Sequence, residues 1–230
     1  MYSSYKMKFL TLNFVLVLWL SSAYSQSHEI TVRFIGNCGL SLTDGTTNLY
    51  FDFPYKSGAH HYMEYNLSEL DSIKSNPVFI YTHRHSDHYS GKLVRKQARK
   101  RNGKVYSPRN AKELEKLNTA LKDFRIEAFQ TKHRFSVNHC SYLLTWHGKR
   151  IFISGDTEHA ETIASVQNID WAFVPVWLLT DAIEKEIKLR ENIRMFAIYH
   201  IGPRDKITTD GTDTQIKLLD KQGEQFTIAY

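Results

Sequence analysis

The sequence predicts an α+β fold, a four-layer αββα sandwich of two mixed β-sheets with helices on the outer faces. Three observations lead to this prediction. Apolar and polar residues alternate with the period of a β-strand near the start of the chain, and no helical periodicity precedes residue 60. The second half repeats the same order of strands followed by helices. Two strands of that half are mostly apolar, as expected of strands covered on both faces.

The first half of the chain is predicted to form a meander and then alternating strands and helices. The meander ends at Pro54, and an irregular polar stretch follows it. Asp44-Gly45 is a hairpin signal between two of the meander strands. The predicted strands are 30–35, 40–43, 48–53, 78–81 and 105–106. The predicted helices are a short one that starts at 67–70 and ends before Asn76, and two longer ones at 90–101 and 111–121.

The second half contains a second meander, whose hairpin turn is His147-Gly148-Lys149. Buried strands and amphipathic helices follow it, and the chain ends in a strand. The predicted strands are 124–129, 141–146, 150–154, 170–176, 195–199 and 225–230, and the predicted helices are 182–192 and 214–219.

The amino-terminal residues have the pattern of a secretory signal peptide. Lys6 and Lys8 precede an apolar run, and small residues follow it at the cleavage positions. The run is too short to span a bilayer comfortably, which needs about 20 residues. We therefore expect residues 1–25 to be removed on export to the periplasm or the exterior, and residues 26–230 to form one domain without a transmembrane segment. An uncleaved amino-terminal anchor is the alternative.

The charge of the chain limits the classes of partner. The 30 Lys and Arg residues and 24 Asp and Glu residues give a formal net charge of +6. This mild basic excess favours anionic substrates or surfaces. No long basic stripe with interleaved aromatic residues occurs, so we expect no nucleic-acid partner. A small-molecule or lipid-like substrate, anionic in the favoured case, fits this composition.

The most informative segment for function is HRHSDH at 83–88, directly after a predicted strand. Imidazole and carboxylate groups are ligands that zinc, iron and manganese accept. Because residues i and i+2 at a strand end point the same way, His83 and His85 can hold one ion. If the chain then enters a helix, Asp87 and His88 can face a second ion. The segment therefore predicts the beginning of a two-metal site.

Three further metal-type ligands follow later predicted strands, namely His133, Asp156 and His200. Each alone is a weak signal, since a single histidine after a strand is more often a hydrogen-bonded surface residue. Loops at strand ends gather at one edge of a sheet. The ordered set behind the first motif therefore predicts one shared site.

This ordered pattern resembles the metallo-β-lactamase fold superfamily over essentially the whole mature chain. The first motif matches the HxHxDH motif of that family, Ser-Gly-Asp-Thr at 154–157 matches its Gly-Asp motif, and Tyr199-His200 matches its terminal histidine. The resemblance implies that His83, His85 and His133 hold one ion, that Asp87, His88 and His200 hold the other, and that Asp156 bridges the two.

The third motif departs from the family pattern, which usually has a glycine-flanked histidine. Here the segment is Lys132-His133-Arg134, and His139 follows six residues later. His133 is favoured because it directly follows a predicted strand. His139 is the alternative ligand.

Other features resemble the small lactonase and phospholipase-D-like branch of the superfamily. The segment 34–39 is similar to a short turn of that branch, with Asn37 where a histidine is common. Asp52 ends a segment similar to its second-strand Asp motif, so it either supports the metal ligands or is a simple turn residue. The resemblance places Cys38 and Cys140 near the metal edge, and a disulfide or two free thiols are both open.

The implied function is that of an exported metal-dependent hydrolase. Two adjacent divalent ions, zinc in the favoured case and manganese or iron as alternatives, can hold a bridging hydroxide that attacks an ester, lactone, amide or phosphodiester. Asp87 is the candidate catalytic residue that orients this hydroxide or shuttles a proton. An iron-dependent redox enzyme on the same fold and a non-catalytic metal-binding protein are the alternatives.

Two segments are candidates for the walls of the substrate mouth. His60-His61 lies in the polar stretch before the first metal motif, and Trp177-Leu178-Leu179 follows a buried strand. The alternatives are exposed loop histidines for the first segment and core packing for the second.

Overall fold

The structure, a computed structural model, describes residues 28–202, 205, 207 and 213–230. The expected signal peptide, residues 1–25, lies outside the described residues and stays a prediction. None of the helices in the described ranges is long and apolar enough to span a membrane.

Twelve strands and five α-helices, numbered in chain order, make up the described part of the chain. The strands are β1 (Glu29–Gly36), β2 (Gly39–Thr43), β3 (Asn48–Phe51), β4 (Val78–Ile80), β5 (Lys104–Tyr106), β6 (Phe124–His133), β7 (Ser136–Trp146), β8 (Lys149–Ile153), β9 (Ile169–Pro175), β10 (Ile193–Tyr199), β11 (Ile216–Leu218) and β12 (Gln225–Ala229). The helices are α1 (Ser68–Ser72), α2 (Gly91–Arg101), α3 (Glu115–Ala120), α4 (Ala160–Ala164) and α5 (Val176–Glu184).

The strands form two six-stranded sheets, as the sequence predicts. The first sheet has the order β12-β1-β2-β3-β4-β5, and the second has the order β11-β10-β9-β8-β7-β6. In the first sheet the meander is antiparallel and β4 and β5 are added in parallel. In the second sheet β6 to β8 are antiparallel, and β9, β10 and β11 continue in parallel. Both sheets are therefore mixed.

Alternation along the strands sorts the apolar side chains into layers. On β8, Ile151 and Ile153 enter the core between the two sheets, whereas Phe152 packs with Ile163 of α4 and Leu178 of α5. On the other side of the molecule, a third cluster joins the outer face of the first sheet to α2. Each fully buried Ile or Phe side chain stabilises the fold by about 1.5–3 kcal/mol. The predicted four-layer αββα order is confirmed.

The prediction of a helix over residues 214–219 is wrong. This segment contains β11, which pairs in parallel with β10 at the edge of the second sheet. The backbone N–H of Phe196 donates to Gln215, and the N–H of Leu219 donates to Ile198. These bonds satisfy the open edge of β10, which outweighs the weak helical preference of a short segment.

Two other predicted elements have different bounds. The predicted helix 182–192 starts earlier as α5, because Pro175 cannot donate a hydrogen bond in a strand ladder and ends β9 there. A 3-10 turn at Leu189–Glu191 follows it. The predicted strand 124–129 extends to His133 as β6, so His133 is the last residue of its strand rather than the first loop residue.

Candidate metal centre

All the predicted ligands come together at one edge of the sandwich. The HRHSDH loop follows β4 of the first sheet, and the remaining predicted ligands lie at or after the ends of three strands of the second sheet. The site therefore spans both sheets. The predicted ligands are His83, His85, Asp87 and His88 after β4, His133 at the end of β6, Asp156 after β8 and His200 after β10.

The side chains fall into two groups that could each hold an ion. In the first ligand group, His83, His85 and His133, the ligand atoms lie within 4.8 Å of one another. The second ligand group shows the same spacing and consists of Cys38, His88, Asp156 and His200. Cys38 is the member that the predicted ligand set lacks.

Asp156 lies between the two ligand groups. Its Oδ2 atom is 3.1 Å from His88 Nε2 and 3.2 Å from His200 Nε2. The same oxygen is 3.8 Å from His83 Nε2 and 3.7 Å from His133 Nε2. One carboxylate oxygen thus faces imidazole nitrogens of both groups, which is the position that a bridging ligand would need.

Asp87 lies beside the second ligand group. Its Oδ2 atom is 3.3 Å from His200 Nε2 and 3.6 Å from His88 Nε2. Asn37 fixes this arrangement: its side-chain amide donates to the backbone oxygen of Asp87 at 3.0 Å, and its own backbone oxygen accepts from His200 N–H at 3.0 Å. Asn37 and His200 have left-handed backbone angles, with φ of 49° and 55°. Such angles in non-glycine residues are uncommon and often mark functional sites.

The buried imidazoles leave nitrogens free for a metal. His83 Nε2, His88 Nε2 and His200 Nε2 are buried and have no hydrogen-bond partner among the described residues, although carboxylate oxygens lie nearby. His83 Nδ1 contacts Thr82 Oγ1 at 3.1 Å. Because this hydroxyl donates to Asp52, it accepts the Nδ1 proton and leaves the lone pair of His83 on Nε2. Unpartnered buried nitrogens of this kind fit a bound divalent ion.

Asp52 supports the second ligand group from behind. It is fully buried, and its Oδ2 atom lies 2.9 Å from His88 Nδ1. Its two oxygens also accept hydrogen bonds from Thr82, from the backbone N–H at 2.8 Å and from the hydroxyl at 2.7 Å. Such a carboxylate orients the imidazole and keeps its proton on Nδ1. Of the two open interpretations, the contacts favour support of the ligands over a simple turn residue.

The charges of the cluster balance one another. Burial alone would raise the pKa of Asp156, but His200 and His88 outweigh it and hold that pKa well below its usual range. Burial would lower the pKa of His200, but Asp156 outweighs it and raises that pKa to about 9. Divalent ions could replace the shared protons, since deprotonated carboxylates and neutral imidazoles are both ligands.

His139 has a different position from His133. Its Nε2 atom accepts the backbone N–H of Asp156 at 3.0 Å, and its Nδ1 atom lies 2.6 Å from Thr131 Oγ1. Burial lowers the pKa of His139 to about 3, so the ring is neutral. Both ring nitrogens are therefore occupied. His133 belongs to the first ligand group, and His139 holds the loop that carries Asp156.

Comparison with known proteins identifies the architecture. No protein-family model matches the sequence, and no curated protein sequence is significantly similar to it. Solved structures are similar, however. The fold of Igni18, a metallo hydrolase from the archaeon Ignicoccus hospitalis, matches 88% of this chain and 99% of its own at 14% identity, with a TM-score of 0.61.

YhfI from Bacillus subtilis, a metallo-β-lactamase fold protein, matches 86% of this chain and 99% of its own at 13% identity, with a TM-score of 0.59. This chain has the metallo-β-lactamase fold. The fold also occurs in a diiron β-hydroxylase: CmlA from Streptomyces venezuelae matches 88% of this chain and 54% of its own at 10% identity, with a TM-score of 0.54.

Both cysteines of this chain are free thiols. Cys38 is fully buried, and burial raises the pKa of its thiol well above the usual range. Cys140 is also buried, but its sulfur contacts Gln130 Oε1 at 3.9 Å and belongs to neither ligand group. The disulfide that the sequence left open is not formed in this structure.

A cavity of about 490 Å³ opens onto the ligands. Trp177 forms part of its wall, and its indole N–H donates to the backbone oxygen of Asp156 at 3.2 Å. His60 also lines the cavity, whereas Leu178 is buried in the core. The remaining wall residues, Tyr62, Arg134, Phe135 and Glu158, were not predicted, because loops of irregular backbone carry them and no periodic pattern marks them.

Proposed function

We propose that this chain is a hydrolase that uses two divalent metal ions, zinc in the favoured case. One observation carries the proposal. Buried imidazole nitrogens that have no hydrogen-bond partner among the described residues surround the carboxylate of Asp156, which lines an open cavity. The fold likeness to the metallo hydrolase Igni18 supports it. On this proposal His83, His85 and His133 would hold one ion, Asp87, His88 and His200 would hold the other, and Asp156 would contribute to both.

The chemistry depends on a cation pair and on the residues around it. Bound ions of this kind acidify a water molecule towards a pKa of about 7 and stabilise charge that develops on a substrate oxygen. His88 and His83 are kept in the required tautomer by Asp52 and Thr82. Their nitrogens are therefore preorganised, which reduces the cost of assembling the site.

Asp87 is the residue we assign to proton transfer. Burial alone would raise its pKa, but His200 and His88 outweigh it and lower that pKa, so the carboxylate is ionised. An ionised carboxylate accepts the proton of an attacking water and can return it to the leaving group. His60, exposed at the mouth, has its Nε2 atom 3.9 Å from Asp87 Oδ1.

The cavity indicates the size and type of substrate. Its volume of about 490 Å³ falls in the range of about 300–1,000 Å³ that is usual for small-molecule sites. The walls combine aromatic rings, those of Tyr62, Phe135 and Trp177, with charged side chains of both signs, Arg134 and Glu158. We infer a small molecule with an apolar part and an ester, lactone, amide or phosphodiester bond. An anionic group on it would pair with Arg134.

The test is hydrolysis of a panel that represents these four bond classes. Protein stripped with a chelator and then reloaded with zinc should cleave at least one class, and stripped protein should cleave none. Asp87→Asn should lower kcat by roughly 10²–10⁴-fold, as loss of a general base does. Asp71→Asn, exposed on α1, is the control and should be fully active. Zinc-loaded protein that cleaves no class would contradict the proposal.

Redox chemistry is a second candidate because the diiron β-hydroxylase CmlA has the same fold. Histidine and carboxylate ligands also suit iron. The identity of the metal in protein purified without chelator distinguishes the two functions. Predominant zinc supports hydrolysis, whereas predominant iron supports the redox function.

A further inference from the structure

None of the family motifs that the sequence matches gives Cys38 a role. It lies between β1 and β2, directly after Asn37, and its side chain is fully buried. Its Sγ atom lies within 4.8 Å of the ligand atoms of His88, Asp156 and His200. It is 3.8 Å from Asp156 Oδ1, the second oxygen of the carboxylate whose Oδ2 atom lies near the four histidine nitrogens. The sulfur therefore borders the second ion position.

Two other observations indicate a ligand at this place. His88 Nε2 and His200 Nε2 have no hydrogen-bond partner in the described part of the chain, and these residues are only 0% and 2% exposed. Zinc binds sulfur at about 2.3 Å and carboxylate oxygen at about 2.0–2.2 Å. The ligand atoms of Cys38, His88, Asp156 and His200 lie within 4.8 Å of one another, a spacing that allows one ion to bind them together.

Cys140 provides the internal comparison. It is buried in the same core as Cys38, so burial alone does not distinguish the two thiols. Its sulfur has an uncharged contact, Gln130, and no place in a ligand group. Of the two cysteines, Cys38 is therefore the one whose buried thiol lies beside a carboxylate and imidazole nitrogens without hydrogen-bond partners.

We propose that Cys38 is a ligand of the second ion and that its sulfur makes this position selective for zinc. The proposal rests on the proposed metal-dependent function. On binding, the S–H bond breaks, the proton passes to solvent and a sulfur–metal bond forms, with no change of oxidation state. Thiolate is a soft ligand that favours zinc, whereas manganese and magnesium prefer oxygen. The second position would thus reject manganese more strongly than the first.

The competing interpretation gives Cys38 only a supporting role. In it, the thiol of Cys38 donates a weak hydrogen bond to Asp156 Oδ1 and never contacts an ion. The two interpretations differ in whether sulfur is bonded to the metal, which a spectroscopic probe reads directly.

The experiment is titration of the metal-free full chain with cobalt(II). Sulfur bonded to cobalt gives an intense charge-transfer band in the near ultraviolet, whereas imidazole and carboxylate ligands give only weak visible bands. The chain has two cysteines, so the matched variant Cys140→Ser leaves Cys38 as the sole thiol. We expect the band in wild type and in Cys140→Ser, and its loss in Cys38→Ser and Cys38→Ala.

The possible failures are distinguishable. Weak visible bands without the charge-transfer band in Cys140→Ser would show that cobalt binds without Cys38 and would overturn this inference alone. No cobalt binding by wild type would overturn the proposed function as well. A second readout is competition between zinc and manganese. In Cys38→Ser, the ratio of zinc affinity to manganese affinity should fall at least tenfold at one of the two positions. An unchanged preference would also contradict the inference.

Discussion

Gly155 shows how tightly single residues constrain the candidate centre. Its backbone has φ of 61°, and an added Cβ would lie 2.6 Å from His139 Nε2 and 2.7 Å from Thr82 Cβ. Both neighbours support the ligands, so neither can move without disturbing the site. The Ser-Gly-Asp-Thr motif therefore requires glycine for space as well as for backbone conformation.

We predict that Gly155→Ala lowers the free energy of unfolding by about 3 kcal/mol or more. The matched control is Gly148→Ala, which also has positive φ, 77°, but has no atom within 4 Å of the added Cβ. This control should cost about 1–2 kcal/mol, the price of the left-handed backbone alone. Urea unfolding of both variants measures the difference. Equal costs would show that the contacts around Gly155 are not constraining.

The carboxylate of Asp52 leads to a second prediction at the same scale. Asp52→Asn keeps the shape of the side chain and suits the left-handed backbone, with φ of 46°, but removes the charge behind His88. Loss of such a partner typically costs roughly 10–100-fold in metal affinity. Asp123→Asn is the matched control, since Asp123 is exposed and has φ of 49°.

Competition with a chromophoric zinc chelator measures both affinities. The expected result is weaker zinc binding by Asp52→Asn and unchanged binding by Asp123→Asn. If Asp52→Asn bound zinc as tightly as wild type, Asp52 would have no part in orienting the metal ligand.

At the scale of elements, alternating strands were predictable, whereas the edge strand β11 was not. The apolar alternation of β1 and the apolar run at 195–199 in β10 follow from which faces are buried, so the sequence records them. The strand β11 has three half-buried residues and owes its conformation to the open edge of β10. Pairing partners of this kind are distant in sequence and leave no local pattern.

The two hairpin turns at the edge remote from the metal ligands are joined by Asp44. Its Oδ1 atom accepts the backbone N–H groups of Thr46 and Thr47, and its Oδ2 atom lies 2.9 Å from His147 Nε2. Burial alone would raise the pKa of Asp44, but these hydrogen bonds outweigh it and lower that pKa to about 2. The ionised carboxylate thus stabilises the turn between β2 and β3 and links it to the turn between β7 and β8.

Because the folded pKa of Asp44 lies below its unfolded value of about 3.9, its contribution is present above about pH 4 and is lost as pH falls towards 2. We predict that Asp44→Asn lowers the free energy of unfolding by about 1–2 kcal/mol near pH 7. The difference from wild type should shrink below about pH 4. Urea unfolding across this pH range measures it, and a difference independent of pH would contradict the assigned role of the charge.

At the scale of the whole molecule, the sequence predicted which side chains come together better than it predicted the walls of the cavity. His83, Asp156 and the other predicted ligands lie together because each stands at a strand end, and strand ends follow from periodicity. The loop residues Tyr62 and Phe135 reach the cavity only through irregular backbone. Cys38 was placed near this edge, but only the three-dimensional arrangement puts its sulfur beside His88.

The candidate centre also joins the two halves of the fold. The first sheet contributes the loop after β4, and the second sheet contributes residues at or after the ends of β6, β8 and β10. Neither sheet alone supplies a complete ligand group, since His83 and His85 need His133, and His88 needs Asp156 and His200. Two occupied positions would therefore require both sheets in their folded arrangement.

The most direct test is metal content, measured by plasma mass spectrometry on protein purified without chelator or affinity metal. We predict about two equivalents per chain, as in two-metal hydrolases. His83→Ala and His200→Ala should each lose about one equivalent, because they belong to different ligand groups. The control His28→Ala, an exposed histidine next to β1, should retain both. Wild-type protein that holds no metal, or a metal content unchanged by both ligand variants, would contradict the account.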